Sequence, residues 1–389
     1  MASAIHGRFS LALLLGTLSA FGPFVIDLYL PALPQLAEFF HTSAPMTQLS
    51  LTTAMIGLAA GQLLLGPVSD KWGRKRPLLL SLLAYAAATV LLIFSPTIEI
   101  FVLLRGIQGL SAAGGVVISR AIAADLYRGR EMTRFFGLLM TVNGMAPIVS
   151  PVLGSILLEY MDWRGIFFFL TLLGVGLFAL CLRLGESLRN EDRVQEGIFA
   201  SFRVFGKMCR NFLFMCFVLM ESFAFAGMFA YIAASPFLFQ TFYGVSPLVF
   251  SLCFAANGAA LALGSHIGGR LADRISLSAG CGGIFVLSAC VFVCLSLRAH
   301  VALVEAGFFG LLFCSGVILP AVSALAMEAG RRHAGSASAL LGVFPFLVGA
   351  VVSPLAGIGD IFHSTALLIA SSGLATLATY LLVRRQVRG

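Results

Sequence analysis

The amino-acid sequence predicts an all-α integral membrane protein with twelve transmembrane helices. Hydrophobic residues make up 59% of the 389 residues, charged residues make up 11%, and the mean hydropathy is +0.99. Soluble domains carry about 25% charged residues, so this composition excludes a soluble globular enzyme. The apolar residues fall in long runs between short polar breaks, and each run is near the roughly 20 residues that a helix needs to cross a bilayer.

The polar breaks set the limits of the predicted helices. The first apolar run follows Arg8 and continues to about Leu30. It is too long for the apolar region of a signal peptide, so it predicts an uncleaved first helix. The twelve helices are predicted at 8–32, 45–68, 77–95, 98–126, 133–159, 163–184, 211–240, 246–270, 278–297, 301–327, 336–359 and 363–383.

One long polar segment divides the chain near its middle. It predicts a cytoplasmic linker at 185–210 between an N-terminal six-helix bundle at 1–184 and a C-terminal six-helix bundle at 211–389. Residues 198–208 of the linker alternate enough to predict an amphipathic helix on the membrane surface.

The positions of the basic residues predict the orientation of the chain. Of the 25 Lys and Arg residues, Arg105 and Arg120 lie within helix 4, and only Arg164 and Arg298 fall in the loops opposite the linker. Because positive charge concentrates in cytoplasmic loops, both termini are predicted to be cytoplasmic.

The turn between helices 2 and 3 is the most charged short stretch of the chain. Five charges lie between Asp70 and Arg76, and they predict a hairpin held at the cytoplasmic interface. Gly73 is predicted to permit a tight turn, and Asp70 to cap the start of the following helix. Gly61 and Gly66 are expected to let a neighbouring helix come close.

Two polar motifs recur in the chain at one offset of 203 residues. Gly61, Gly66 and Asp70 recur as Gly264, Gly269 and Asp273. Ser150, Pro151 and Gly154 recur as Ser353, Pro354 and Gly357. The common offset predicts two parallel repeats of six helices.

Two of the charged residues inside predicted helices of the first bundle are candidates for function. Asp27 in helix 1 and Arg105 in helix 4 are predicted at similar depth in the outer half of the membrane. A buried carboxylate is costly unless it is protonated or paired, so Asp27 is a candidate proton carrier. An ion pair with Arg105 is one interpretation. A carboxylate touching water near the interface, and an arginine satisfied by backbone carbonyls, are the alternatives.

Several other residues within the membrane are candidates for contact with a substrate. They are Tyr29, Gln108, Asn143, Glu221, Phe225 and Tyr231. Glu221 lies near the middle of helix 7, where it suits a cation or proton site or is satisfied by Ser or Asn neighbours. Amides such as Gln108 and Asn143 are more often interhelical hydrogen-bonding groups, and membrane aromatics more often simply pack. In helix 5, two prolines four residues apart predict a bend.

These residues carry a resemblance to the major facilitator superfamily and, within it, to the Bcr/CflA (bicyclomycin and chloramphenicol resistance) drug:proton antiporters. Residues 66–75 resemble the superfamily's G-x-x-x-D-x-x-G-R-[KR] loop, and residues 105–109 its R-x-x-Q-G. Residues 27–34 are similar to the D-x-Y-L-P-A-x-P of Bcr/CflA proteins, and residues 143–155 to the antiporter motif G-x-x-x-G-P-x-x-G-G. The last stretch departs from its pattern, with Ala before the first Pro and Ser at the end.

The resemblance implies the major facilitator fold of two six-helix pseudo-repeats and a role for each matching residue. It implies proton coupling through Asp27 and Arg105. It implies a cytoplasmic gate formed by Gly66, Asp70, Gly73, Arg74 and Asp125. It implies an antiporter motif formed by Gly144, Pro147, Pro151 and Gly154.

We therefore expect a multi-pass transporter of the bacterial inner membrane and not an enzyme. It is expected to export small amphiphilic molecules in exchange for protons by alternating access, through a cavity between the halves. The expected partners are the substrate, protons and the lipid bilayer, with no nucleic acid and a monomeric state. No cofactor or metal is expected beyond the proton gradient, and no P-loop occurs. Export of a metabolite such as an amino acid, nucleoside or sugar is the alternative.

Overall fold

The computed structural model is all-helical, and it contains no strand in the residues that it describes. These residues are 8–127, 129–193, 206, 208–271, 274–330 and 334–387. The chain divides into two compact units, the first comprising residues up to 40 with 53–200, and the second comprising 41–52 with 201–389. The predicted linker boundaries stay a prediction, and most of the predicted surface helix at 198–208 lies outside the described residues.

The described residues before the polar segment form eight α-helices. They are α1 (Arg8–Ser19), α2 (Phe21–Asp27), α3 (Leu33–Phe39), α4 (Ala44–Trp72), α5 (Lys75–Ile93), α6 (Ile98–Leu126), α7 (Gly129–Tyr160) and α8 (Trp163–Leu182). A short 3₁₀ turn, Leu30–Ala32, joins α2 to α3.

From Phe212 onward, the described residues form six α-helices. They are α9 (Phe212–Pro236), α10 (Pro247–Leu271), α11 (Arg274–Ser296), α12 (Val301–Ala329), α13 (Ala334–Leu355) and α14 (Ile361–Val387). A π-helical turn, Phe237–Phe242, extends α9. The loops at 243–246, 297–300 and 356–360 lie at one end of this bundle, where the Tyr243 hydroxyl donates to the Ala299 carbonyl at 2.7 Å.

The helices account for twelve membrane spans. Within the described ranges, nine helices are long and apolar enough to cross a bilayer, and the bent segment from α1 to α3 adds a tenth. Two shorter apolar stretches, Met145–Tyr160 in α7 and Leu340–Leu355 in α13, complete the set. The predicted ends of all helices but the first agree with the structure to within about four residues.

The first span differs from its prediction. A single helix at 8–32 is wrong, because the span is broken into α1, α2, the 3₁₀ turn and α3, and bends by 45° after Ser19. Pro23 lacks the N–H that would bond the Ser19 carbonyl, and its ring crowds that carbonyl. Pro31 and Pro34 then stand in the first turns of the 3₁₀ turn and of α3, where proline fits best.

The charged turn is shorter than the sequence predicts. α4 continues through Asp70 to Trp72, and the chain reverses at Gly73, whose φ is +88°. The prediction for Gly73 is confirmed, since this left-handed conformation favours glycine. The prediction that Asp70 caps the next helix is wrong, because Asp70 lies within α4 and the N-cap residue of α5 is Arg74. The Arg74 side chain makes no capping hydrogen bond to α5.

The internal repeat is visible in how the helices touch. A Cβ on Gly61 would lie 2.4 Å from the Leu110 carbonyl oxygen, and a Cβ on Gly264 would lie 2.2 Å from that of Phe313. Both the glycine and its partner are displaced by the same 203 residues. The predicted close approach at Gly61 and the predicted repeat are therefore confirmed, since α4 meets α6 as α10 meets α12.

The second repeated motif also keeps its local structure. α7 and α13 each run as one helix through two prolines. Ser150 Oγ donates to the Ala146 carbonyl at 2.7 Å, and Ser353 Oγ donates to the Gly349 carbonyl at 2.8 Å. A serine that bonds the carbonyl four residues earlier is typical of bent helices, so both repeats carry the same device.

Candidate functional site

Asp27 ends α2, at the break in the first span. Its side chain is only 6% exposed, and among the described residues it has no hydrogen bond or ion pair. Removing a carboxylate from water costs several kcal/mol when nothing compensates its charge. A negative charge on Asp27 therefore needs a partner that its described surroundings do not supply.

Arg105 reaches the same break from α6 and is fully buried. Its Nη2 donates to the Val25 carbonyl at 2.8 Å, which is one of the last carbonyls of α2 and so lacks a helical partner. Its Nη1 donates to Gln108 Oε1. The guanidinium carbon lies 4.1 Å from the centre of the Tyr29 ring, which is within cation–π range. The structure thus brings Arg105 beside the segment that ends in Asp27, without an ion pair between them.

Gln108 extends this contact into a chain of hydrogen bonds. Its Nε2 donates to Thr89 Oγ1 at 2.9 Å, and the Thr89 hydroxyl donates to the Tyr85 carbonyl at 2.7 Å. The chain links α2 through α6 to α5 and uses both ends of the Gln108 amide. Gln108 and Tyr29 thereby orient Arg105, and direct contact of either residue with substrate stays a prediction.

Gly154 of α7 lies against the residue that follows Asp27. A Cβ on Gly154 would lie 1.9 Å from the Leu28 carbonyl oxygen, so the two backbones touch. The antiporter-motif stretch and the Asp27 break are therefore in direct contact. The side chain of Asn143 and the surroundings of Gly144 lie outside the described residues.

Gly154→Ala is expected to lower the free energy of unfolding by about 1–3 kcal/mol, because a backbone carbonyl cannot move aside as a flexible side chain can. The midpoint of thermal unfolding of the detergent-purified protein measures the effect. Gly176→Ala in α8 is the matched control, since no atom of the described residues lies within 4 Å of its Cβ position. Equal midpoints for the two variants would show that α7 and α2 are not in contact.

Glu221 is the buried acid of α9, at 8% exposure. Its Oε1 accepts a hydrogen bond from Ser323 Oγ of α12 at 3.1 Å, and its Oε2 has no partner in the described part of the chain. A serine thus satisfies one carboxylate oxygen, as one interpretation expects, and a proton or cation site at Glu221 stays a prediction.

The predicted aromatics of α9 lie in two ring clusters. Phe225 stacks on Phe229, with ring centres 6.1 Å apart. The Tyr231 ring lies 5.5 Å from Phe254 and 4.7 Å from Phe308, and its hydroxyl accepts from Asn257 Nδ2 at 2.9 Å. Tyr231 is only 1% exposed, so it is a core residue in this structure, and substrate contact through it stays a prediction.

Arg74 joins the predicted gate residues of the first unit. Its Nε donates to Asp125 Oδ2 at 3.0 Å, and its Nη1 donates to Asp70 Oδ1 and to Ser69 Oγ. Burial by itself lowers the pKa of Arg74, but the hydrogen bonds to Asp125 and Asp70 raise it above its usual value. Among the described residues, the atom nearest to a Cβ on Gly66 is Val117 Cγ1 at 3.4 Å, so its predicted close approach is looser than that of Gly61.

Glu186 completes this turn and was not predicted. Its carboxylate accepts from the backbone N–H of Arg74 at 2.8 Å and of Lys75 at 3.2 Å, so it caps α5. It also fills the space beside Gly73, where a Cβ would lie 2.5 Å from Glu186 Oε2. The next residue, Ser187, donates to Asp125 Oδ2 at 2.8 Å. The polar segment after α8 is therefore fastened to the charged turn.

Glu186→Gln is expected to destabilise the protein by about 0.5–2 kcal/mol, because one amide oxygen replaces two charged oxygens at a helix N-terminus. Thermal unfolding in detergent measures the loss. Glu191→Gln is the control, since Glu191 is exposed in the same segment. If the unfolding midpoint of Glu186→Gln equals that of the control within error, Glu186 does not stabilise the protein as a cap of α5.

Three further observations concern acidic residues and metal ligands. Asp273, the repeat counterpart of Asp70, lies outside the described residues. Within the described ranges, no three His, Cys, Asp or Glu side chains are grouped as a metal ion would need. Glu305 of α12 is a half-buried acid that the sequence analysis passed over, because it lies one turn from its helix end, where acids usually meet water.

Comparisons with known proteins agree on one family. The family model for the Major Facilitator Superfamily matches residues 13–354. The chain is 38% identical to an uncharacterized MFS-type transporter, YdgK, of Bacillus subtilis (strain 168), over 98% of this chain and 97% of that protein. It is 27% identical to a bicyclomycin resistance protein homolog of Haemophilus influenzae, over 98% of each chain.

A solved structure gives the same fold. The crystal structure of a bacterial homolog of the human lysosomal transporter Spinster superposes with a TM-score of 0.74, at 15% identity, covering 99% of this chain and 96% of that one. At this identity the likeness shows the fold alone. With the family match, it makes the chain a membrane transporter rather than an enzyme, and the chain belongs to the major facilitator superfamily, among its Bcr/CflA-like members.

Proposed function

We propose that the protein exports small amphiphilic molecules across the bacterial inner membrane in exchange for protons, by alternating access. Both termini would lie in the cytoplasm, as the distribution of basic residues favours. The Haemophilus influenzae relative is a bicyclomycin resistance protein homolog, and this supports export. The proposed energy source is the proton gradient.

The observation that carries the proposal is the buried carboxyl group of Asp27, which lacks a described partner beside a helix break. Such a group is stable when a proton neutralises it or when a cation approaches it. Arg105, held at the Val25 carbonyl two residues earlier, is the cation that can respond. For Asp27 to release its proton, Arg105 would have to leave the Val25 carbonyl and approach the carboxylate, or a substrate would have to occupy the position beside the carboxylate instead.

The same logic makes substrate and proton compete. A substrate that occupies the surroundings of Asp27 favours loss of the proton on the cytoplasmic side, and proton uptake on the outer side favours release of substrate. We propose Tyr29, Gln108, Asn143, Glu221, Phe225 and Tyr231 as the wider substrate site. We propose the turn at 66–74, with Asp125, as a gate that its ion pairs hold shut in one state.

Reconstituted vesicles with an acidic lumen test the proposal. A neutral compound such as chloramphenicol should accumulate severalfold inside as protons leave, and a protonophore should abolish the accumulation. A neutral probe excludes simple trapping of weak bases. If an amino acid, nucleoside or sugar accumulates and no drug does, drug export is wrong. If transport ignores the pH gradient, antiport is wrong.

A further inference from the structure

A groove of about 770 Å³ opens on the surface of the second unit, between α10 and α12. Its volume falls within the range of small-molecule sites. Its lining is apolar except for one acid, Glu305, and includes Val249, Leu252, Ala256, Ala302, Ala306 and Phe309. Of these, Val249, Leu252 and Phe309 are 43–54% exposed, so a ligand can cover a continuous apolar surface here.

Glu305 lies in the second turn of α12, on the floor of this groove. The residue is half-buried, and its Oε2 atom is buried without a hydrogen-bond partner among the described residues. Arg298, the basic residue just before this helix, instead pairs with Asp360 at 3.2 Å. The described chain therefore supplies no cation that would balance a negative charge on Glu305.

A polar residue, Asn257, and an aromatic one, Tyr231, lie near Glu305. Asn257 is fully buried and lies near the Glu305 carboxylate. Its Nδ2 donates to the Tyr231 hydroxyl at 2.9 Å, while its Oδ1 has no partner among the described residues. The Tyr231 ring packs 4.7 Å from Phe308. Glu305 thus lines an apolar groove, and two buried oxygens, its own Oε2 and Asn257 Oδ1, have no hydrogen-bond partner among the described residues.

We propose that this groove is a binding site for a lipophilic monovalent cation, with the positive charge beside Glu305 and the apolar groups over Val249, Leu252 and Phe309. A cation compensates the carboxylate in low dielectric, where the attraction is strong. A hydrocarbon chain or a neutral ligand would leave that charge unpaired, and an anion would be repelled. The site is distinct from Asp27, and it depends on the proposed function only in that the bound cation would be an exported one.

Equilibrium dialysis on the full-length protein in detergent tests the site. The probes are tetraphenylphosphonium and tetraphenylborate, ions of nearly the same shape and opposite charge. Glu305→Gln should weaken tetraphenylphosphonium binding about tenfold or more. Glu305→Asp, which keeps the carboxylate, should bind nearly as tightly as the wild type. Glu99→Gln, at an exposed acid of α6, should bind like the wild type.

A second variant tests the groove and not only the charge. Ala302→Trp fills the exposed lining and should also weaken binding about tenfold, with a normal unfolding midpoint. Repeating the Glu305→Gln comparison in the Asp27→Asn background separates this site from the proposed proton site.

Three results would overturn the proposal. They are equal tetraphenylphosphonium binding by wild type and Glu305→Gln, equal binding by wild type and Ala302→Trp, and tetraphenylborate binding as tight as that of the cation. If binding behaves as expected and the vesicles export nothing, the site stands and the proposed antiport fails.

Discussion

Asp27→Asn is expected to abolish proton-driven export while leaving the fold and substrate binding nearly intact. An amide has the shape of a protonated carboxylic acid but cannot release a proton, so the variant is fixed in the neutral form. Because Asp27 is buried without a described partner, loss of its charge removes no hydrogen bond that the structure describes. Exchange of substrate between two sides at equal concentration should continue, while accumulation against a gradient should fall to background.

The control for this variant is Asp162→Asn. Asp162 is the exposed N-cap of α8 and accepts from the Arg164 N–H at 3.0 Å, and asparagine caps helices as well as aspartate does. Efflux is compared in cells that lack their own pumps, at equal membrane expression, with and without a protonophore. If Asp27→Asn still exports against a gradient, Asp27 is not the proton carrier and Glu221, with its free Oε2, becomes the next candidate.

The twelve spans could be predicted because bilayer thickness dictates the length of an apolar run. The repeat could be predicted because close helix contacts in a membrane require small residues, and the glycines at 61 and 264 keep their spacing. The break in the first span could not be predicted from the sequence. Its prolines are visible in the sequence, but a broken helix needs partners for its freed carbonyls, and Arg105 is supplied by α6, 80 residues away.

The candidate site shows the same division. The contacts of Arg74 with Asp70 and Asp125 follow from a motif, and the structure contains them. Glu186 could not be found this way, because it lies 112 residues from the N–H that it caps and within a segment whose polarity predicts only a linker. Sequence periodicity assigns a residue to a helix face, whereas a cap or a buried ion partner depends on which distant segments meet.

Arg105→Lys is expected to reduce transport at least tenfold, although it keeps the positive charge. The guanidinium donates to Val25 and Gln108 from two nitrogens and lies over the Tyr29 ring. A lysine ammonium is a compact point charge and cannot reproduce this planar arrangement. At least one buried acceptor then loses its donor, which lowers the free energy of unfolding by about 1–3 kcal/mol. The positive charge proposed to respond to Asp27 is also no longer held at the helix break.

Arg298→Lys separates this effect from the general loss of an arginine. Arg298 is 63% exposed and pairs with Asp360, so its replacement should change neither transport nor the unfolding midpoint. Arg105→Lys should lower both, and a protonophore should inhibit its residual transport less than that of the wild type. If Arg105→Lys transports normally, a positive charge suffices at this position. Its hydrogen bonds to the end of α2 would then be structural contacts without a part in proton coupling.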